Sequence, residues 1–225
     1  MDFDTIEDAV GRSGLRIMGG FHGGEAATMV LIGNAGPDMW AAFSNATTSD
    51  ERASGINPLD EWTRLVLGEA AEELGARVLF PFDGPPYHPF QRWALKTGTA
   101  FVSPTGPLIH PEFGLWHAYR GALAFHEHLD LPPPPAGDSP CVTCADKPCL
   151  GACPVDAFSP DETQAGGAAY DTAACVAHIG SPGGKTCFDG GCLARWACPV
   201  GREYGYGGRQ ANFHMVRYLK TQSRL

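Results

Sequence analysis

No cysteine precedes Cys141 in this chain of 225 residues, and all eight cysteines then fall between Cys141 and Cys198. Long apolar runs are equally lacking. None approaches the roughly 18 residues that a spanning helix needs, so no membrane partner is expected. Positive charge is scarce, with 16 Lys and Arg against 25 Asp and Glu. The resulting net charge of −9 argues against a phosphate backbone as the main ligand, and so against a nucleic-acid partner. Met1-Asp2-Phe3-Asp4 carries no basic n-region, apolar h-region or twin-arginine pair. Export is therefore not signalled, and a soluble cytoplasmic protein is expected. Gly19-Gly20 and Gly23-Gly24 match neither a dinucleotide fingerprint nor a P-loop, and His126-Glu127-His128 is not H-E-x-x-H.

What is present divides at a proline run, Leu131 to Pro140 (LPPPPAGDSP). Such a segment is extended and lacks the backbone donors a sheet or helix requires. The expected organisation is a domain over residues 1–131, a linker over 132–140 and a second domain over 141–225. In the first, helix and strand signals alternate. Phe3 to Gly14 reads as a short amphipathic helix, and Ala27 to Gly33 as a buried strand. Pro37 opens a helix with Met39, Trp40 and Phe43. Asn57-Pro58 places an N-cap before proline at the first helical position. The helix that follows shows Trp62, Leu65, Val66, Ala70 and Leu74 on one face, and Gly75 ends it. Arg77 to Phe82 and Leu115 to Phe125 read as strands, with a short helix over Phe90 to Lys96. The fold class is α/β (α+β). The second domain is small, loop-rich and glycine-rich, and a final helix at about Gln210 to Leu219 offers Phe213, Val216 and Leu219 for packing.

The cysteines form two runs: Cys141-x2-Cys144-x4-Cys149-x3-Cys153-Pro154 and Cys175-x11-Cys187-x4-Cys192-x5-Cys198-Pro199. A disulfide framework fits poorly, because these are spacings of metal ligands and a reducing cytosol keeps thiols reduced. Two zinc sites of four thiolates each are the competing reading. Each run ends in Cys-Pro, as bacterial ferredoxin runs do, which favours two [4Fe–4S] clusters. In that arrangement the cysteine before proline serves the other cluster. One cluster then takes Cys141, Cys144, Cys149 and Cys198, and the other takes Cys175, Cys187, Cys192 and Cys153.

A second informative stretch is IHPEFGLWHAYRG, residues 109–121. Turn chemistry leads into a strand carrying Trp116, Tyr119 and Arg120. Aromatics beside a guanidinium suit a flat, anionic or amide-bearing ligand; a core tryptophan, a surface arginine and a structural turn explain the same residues. The segment resembles the I-H-P-x-F-G-x-W-x-A-x-R-G motif of the CblC-type cobalamin-processing proteins. A looser likeness runs through TMVLIGNAGPDMWAAF and INPLDEWTRLVLGEAAEELGARVLFPF to LDLPPPP. That resemblance implies a nitroreductase-like α/β fold, base-off cobalamin binding and reductive removal of the upper ligand of cobalt. It also implies a ligand pocket shaped by His110, Trp116 and Arg120. The C-terminal region is similar to the ferredoxin-type cluster domain of epoxyqueuosine reductase and the reductive dehalogenases. No Asp-x-His-x-x-Gly motif is present, so no lower histidine ligand to cobalt is implied.

The expectation is a redox protein in which an external donor such as ferredoxin or flavodoxin loads the clusters, and electrons pass to a corrinoid. Cobalamin enters as substrate or cofactor. The alternatives are a two-cluster electron carrier for a partner enzyme, and an epoxyqueuosine-type reductase, which the acidic charge disfavours.

Overall fold

Asp2 starts the first helix by accepting a hydrogen bond from Thr5 N at 2.9 Å in the computed structural model, which describes residues 1–160 and 168–222. That helix, α1 (Phe3–Gly11), turns Ile6, Ala9 and Val10 inward. The hairpin β1 (Arg16–His22) and β2 (Thr28–Ala35) follows. All eight residues of β2 are buried, which explains its unbroken apolar run. Helices α2 (Asp38–Ala46), α3 (Ser49–Ser54) and α4 (Pro58–Glu73) come next, then β3 (Arg77–Leu79) and α5 (Phe90–Lys96). Two short strands, β4 (Phe101–Val102) and β5 (Leu108–Ile109), pair with one another before β6 (His117–Phe125). Strands β1, β2, β6 and β3 form one sheet in that order, with every neighbouring pair antiparallel.

The chain is thus mixed helix and sheet, and its sheets are small and antiparallel. It divides into two compact units: residues 1–99 with 117–136, and residues 100–116 with 137–225. This differs from the division expected at the proline run alone. Residues 100–116 leave the first unit between α5 and β6 and pack with the second. The reason is chemical: Ile109 and Leu115 find their apolar partners around Cys198, as described below.

Three details of the first unit also differ from the sequence reading. Strand β1 was not expected, because Gly19-Gly20 interrupts its alternation; a register shift falls between Ile17 and Gly20. Asn57 occupies the N-cap position of α4 without a side-chain hydrogen bond, leaving Pro58 to set the helix start. The buried face of α4 carries Leu59, Trp62, Thr63, Leu67, Ala70 and Ala71, whereas Leu65 is 61% exposed. Leu67 lies over β6 so closely that a Cβ on Gly121 would meet its Cδ1 at 2.6 Å. Glycine at 121 is therefore a packing requirement of the helix above it.

The second unit contains α6 (Pro140–Thr143), α7 (Pro148–Gly151), the hairpin β7 (Phe158–Pro160) and β8 (Ala168–Tyr170), α8 (Thr172–Ile179), α9 (Lys185–Gly190), α10 (Leu193–Ala197) and α11 (Gly208–Gln222). Helix α11 packs on α9, with Gln210 and Ala211 buried and Phe213, Val216 and Leu219 only half-buried.

The two leucines of α4 give a direct check on its orientation. Leu67→Ala should lower unfolding stability by about 2–5 kcal/mol, as a cavity does in a packed core. Leu65→Ala should change it by less than about 0.5 kcal/mol. Denaturant unfolding followed by circular dichroism measures both; equal effects would mean that α4 presents another face.

Candidate metal centre

Four cysteines from two distant stretches of sequence line each of two cavities in the second unit. Cys141, Cys144, Cys149 and Cys198 line the first, with Pro199, Val200 and Ile109. Cys153, Cys175, Cys187 and Cys192 line the second, with Pro154, Leu193 and Ala194. Each cavity therefore takes three cysteines from one run and one from the other. The cavity volumes are about 270 Å³ and about 110 Å³ respectively. Even the smaller exceeds the share of three water molecules, at about 30 Å³ each.

Two short helices produce this exchange. Helix α7 carries Cys149 in its first turn, and Cys153 follows two residues after its end. Cys192 is the N-cap of α10 and Cys198 is its C-cap. The two helices pack against one another. Each consequently delivers one thiol to each cavity. At about 1.5 Å of rise per residue, the Cα atoms of Cys192 and Cys198 stand only about 9 Å apart along α10. The two extra residues between Cys144 and Cys149 are absorbed at Lys147, whose φ of 38° turns the chain into α7.

Backbone amides point at the sulfurs. Ala157 N donates to Cys153 Sγ at 3.4 Å. The Leu193 amide serves Cys187, and the amides of Ala194 and Arg195 serve Cys192. Burial pushes the thiols of Cys141, Cys149, Cys187 and Cys192 upward, and neighbouring cysteines add to the rise. Ser139 opposes it at Cys141, and the N–H donors oppose it at Cys187 and Cys192. Gathered thiols of this kind are stable as anions only when a cation shares them. Among the described residues, no three His, Cys, Asp or Glu side chains converge on the position of a single metal ion. The donor set is all thiol in the first cavity, and thiol with His178 nearby in the second. Four thiols gathered from both runs in each cavity, with amide-to-sulfur bonds in the second, fit a cubane cluster in each.

The arm formed by residues 100–116 is built into this unit. Ile109 and Leu115 pack with Cys198, and Phe101, Cys141 and Val200 cover them. His110 Nδ1 accepts from Glu112 N at 3.1 Å and from Phe113 N at 3.3 Å, and its ring stacks on Phe113. Gly114 and Gly201 explain the tightness of the join. Both have positive φ, and a Cβ on Gly114 would meet Val200 O at 2.0 Å. A Cβ on Gly201 would meet the Phe113 carbonyl carbon at 2.3 Å. Tyr204 donates to Glu112 at 2.7 Å, and Arg195 donates to Leu115 O.

Trp116 is 1% exposed and lies against Trp196, with ring centres 4.4 Å apart, and edge-on to Tyr206. The Arg195 guanidinium stands over both Trp116 and Tyr206, at 4.7 Å and 4.9 Å. Trp116 Nε1 is buried and finds no hydrogen-bond partner among the described residues. Arg120 belongs to the first unit, unlike His110 and Trp116. It donates to Asp60 Oδ1 at 2.7 Å and to Thr63 Oγ1 at 3.0 Å, with its side chain 13% exposed. The expected trio thus falls in two parts. His110 and Trp116 are brought to the cysteine-bearing unit, and Arg120 is held by α4. Sequence reading missed Arg195, although its position between Cys192 and Cys198 pointed to it.

Exchange of thiols between runs has a direct consequence. Cys153→Ser should damage the centre lined by Cys175, Cys187 and Cys192, and Cys198→Ser the centre lined by Cys141, Cys144 and Cys149. Mössbauer and electron paramagnetic resonance spectra of the reconstituted variants separate the two; damage confined to each mutated cysteine's own run would contradict the geometry.

No family model matches the chain, and no curated protein matches it significantly, so the cysteine geometry stands as its own guide to function.

Proposed function

We propose that this protein is an iron–sulfur redox protein that passes single electrons through two [4Fe–4S] clusters to the cobalt of a corrinoid. The observation that carries the proposal is the pair of cavities, each lined by four thiols drawn from both runs. A [4Fe–4S] cluster supplies a one-electron site whose potential follows its charge, its hydrogen bonds and its exposure. In this reading Cys141, Cys144, Cys149 and Cys198 hold one cluster, and Cys153, Cys175, Cys187 and Cys192 hold the other. The second unit is then ferredoxin-type and the first nitroreductase-like. The amides of Ala157, Leu193, Ala194 and Arg195 stabilise negative charge on the sulfurs. Helix α10 keeps the two thiol sets one short helix apart. The Cys-Pro end of each run favours clusters over zinc.

The corrinoid is proposed from IHPEFGLWHAYRG. The buried indole N–H of Trp116, with no partner among the described residues, supports a ligand acceptor there. The corrinoid is the substrate. Electrons enter from an external donor such as a ferredoxin or flavodoxin, and reduction of cobalt loosens its upper ligand. A second reading, an electron carrier for a partner enzyme, is favoured by one observation. Arg120 is already engaged by Asp60 and Thr63, so ligand binding through it competes with an internal pair.

The two readings separate in one anaerobic experiment. Reduced protein is mixed with aquocobalamin and cyanocobalamin, and the base-off spectral change and cobalt oxidation state are followed. Micromolar binding and reduction faster than with a free ferredoxin support the corrinoid reading. Arg120→Lys should then weaken binding by about tenfold, or ~1.4 kcal/mol, with cluster content unchanged, because an ammonium cannot copy the planar fork. If wild-type protein neither binds these corrinoids nor speeds their reduction, the carrier reading holds. If Arg120→Lys lowers only thermal stability, Arg120 serves the fold.

A further inference from the structure

The cavity lined by Cys153, Cys175, Cys187 and Cys192 has two phenols in its wall that electron transfer as described does not use. Tyr170 ends β8 and stacks on Phe158 across the hairpin, with ring centres 5.1 Å apart and planes 14° from parallel. Tyr218 comes from α11. Their hydroxyls meet at 2.8 Å, and both line the same cavity as Cys175. Cys175 itself is placed on α8, whose N-cap Asp171 accepts from Ala174 N. Three elements therefore converge on one thiol. The other cavity has Thr143 and Lys147 in its wall and no phenol.

The proton count of this group is informative. Two phenols carry two O–H donors. One is consumed by the bond between the hydroxyls, which leaves one O–H for an acceptor. The sulfur of Cys175, in the same cavity wall, accepts better as a thiolate, because charge assistance roughly doubles the strength of a hydrogen bond. A phenol that already accepts a bond also donates a stronger one.

We propose that Tyr170 and Tyr218 form a positioning pair that donates a hydrogen bond to Cys175 and raises the reduction potential of the cluster held by that thiol set. The proposal rests on the cluster reading above and adds an inequality to it. An electron added to a cubane increases negative charge on its sulfurs, so a donated bond stabilises the reduced state more than the oxidised state. The cluster served by the phenols then accepts an electron more readily than it would without them.

The test uses the full-length chain, reconstituted anaerobically, with Tyr170→Phe, Tyr218→Phe and the double variant. Phenylalanine keeps the ring, the stack on Phe158 and the cavity wall, and removes only the hydroxyl. Redox titration is followed by electron paramagnetic resonance. The cluster that Cys175→Ser removes should show a lower potential in the variants. The expected change is on the order of tenfold in its reduced-to-oxidised ratio at fixed potential, about 59 mV for one electron. The other cluster should not move. A deuterium coupling to the reduced cluster, seen by electron-nuclear double resonance after exchange into heavy water, should weaken in the same variants. Full cluster content with both potentials unmoved and the coupling retained overturns the proposal. Loss of that cluster in the single variants also overturns it, in favour of a purely structural wall. Wild-type protein that takes up no iron and sulfide overturns the cluster reading itself.

Discussion

Eight thiols gathered in two buried or half-buried groups are an electrostatic liability that the rest of the second unit is arranged around. Burial disfavours their anions and each neighbouring thiolate repels the next, which is why several of them are pushed upward in pKa. The unit has little apolar material with which to offset that cost. Its helices are mostly one or two turns long and too short to be stable in isolation. Under the proposed cluster reading, metal–ligand bonds would supply both deficits at once, neutralising the sulfurs and cross-linking α7, α8, α9 and α10. The amides of residues 193–195, turned toward sulfur, are first-turn groups of α10 that would otherwise be helix-terminal orphans.

The same constraint explains the arm of residues 100–116. A thiol-lined cavity needs an apolar cover, and Ile109 and Leu115 provide it beside Cys198. Gly114 and Gly201 are fixed by the contact of two backbones, each occupying the space a side chain on the other would need. His110 acts here as the acceptor that closes the turn, and Arg195 fastens Leu115 while stacking on Trp116. The motif IHPEFGLWHAYRG is therefore partly structural: its first half shapes the cover of a thiol-lined cavity. Its end belongs to the first unit, where Gly121 makes room for Leu67 and Arg120 pairs with Asp60.

Much of this was legible before any coordinates. The helix over 90–96, the buried strand at 28–35 and the proline start at 58 follow from local rules that do not depend on distant residues. The grouping of cysteines was legible because a Cys-Pro end carries a rule about which cavity it serves. Strand β1 was not, because its glycines break the alternation that marks a strand. The face of α4 was misjudged at Leu65 and Leu67, since helical spacing alone leaves a choice between adjacent stripes that only the sheet beneath decides. The arm was hidden for a further reason. A short segment leaving one unit to cover another has no compositional boundary, and its tell-tale glycines look like ordinary turn residues. Tyr170 and Tyr218 were also beyond reach, being far apart in sequence and joined only in the fold, where their hydroxyls meet.

The central claim is that the two thiol sets hold two cubane clusters. Mössbauer spectroscopy of protein reconstituted anaerobically with ⁵⁷Fe, combined with metal and sulfide analysis, tests it most directly. The account predicts about eight iron and eight sulfide per chain, with essentially all the iron in diamagnetic [4Fe–4S] sites when oxidised. About two zinc per chain, with no cluster iron and no broad visible absorption, would contradict it.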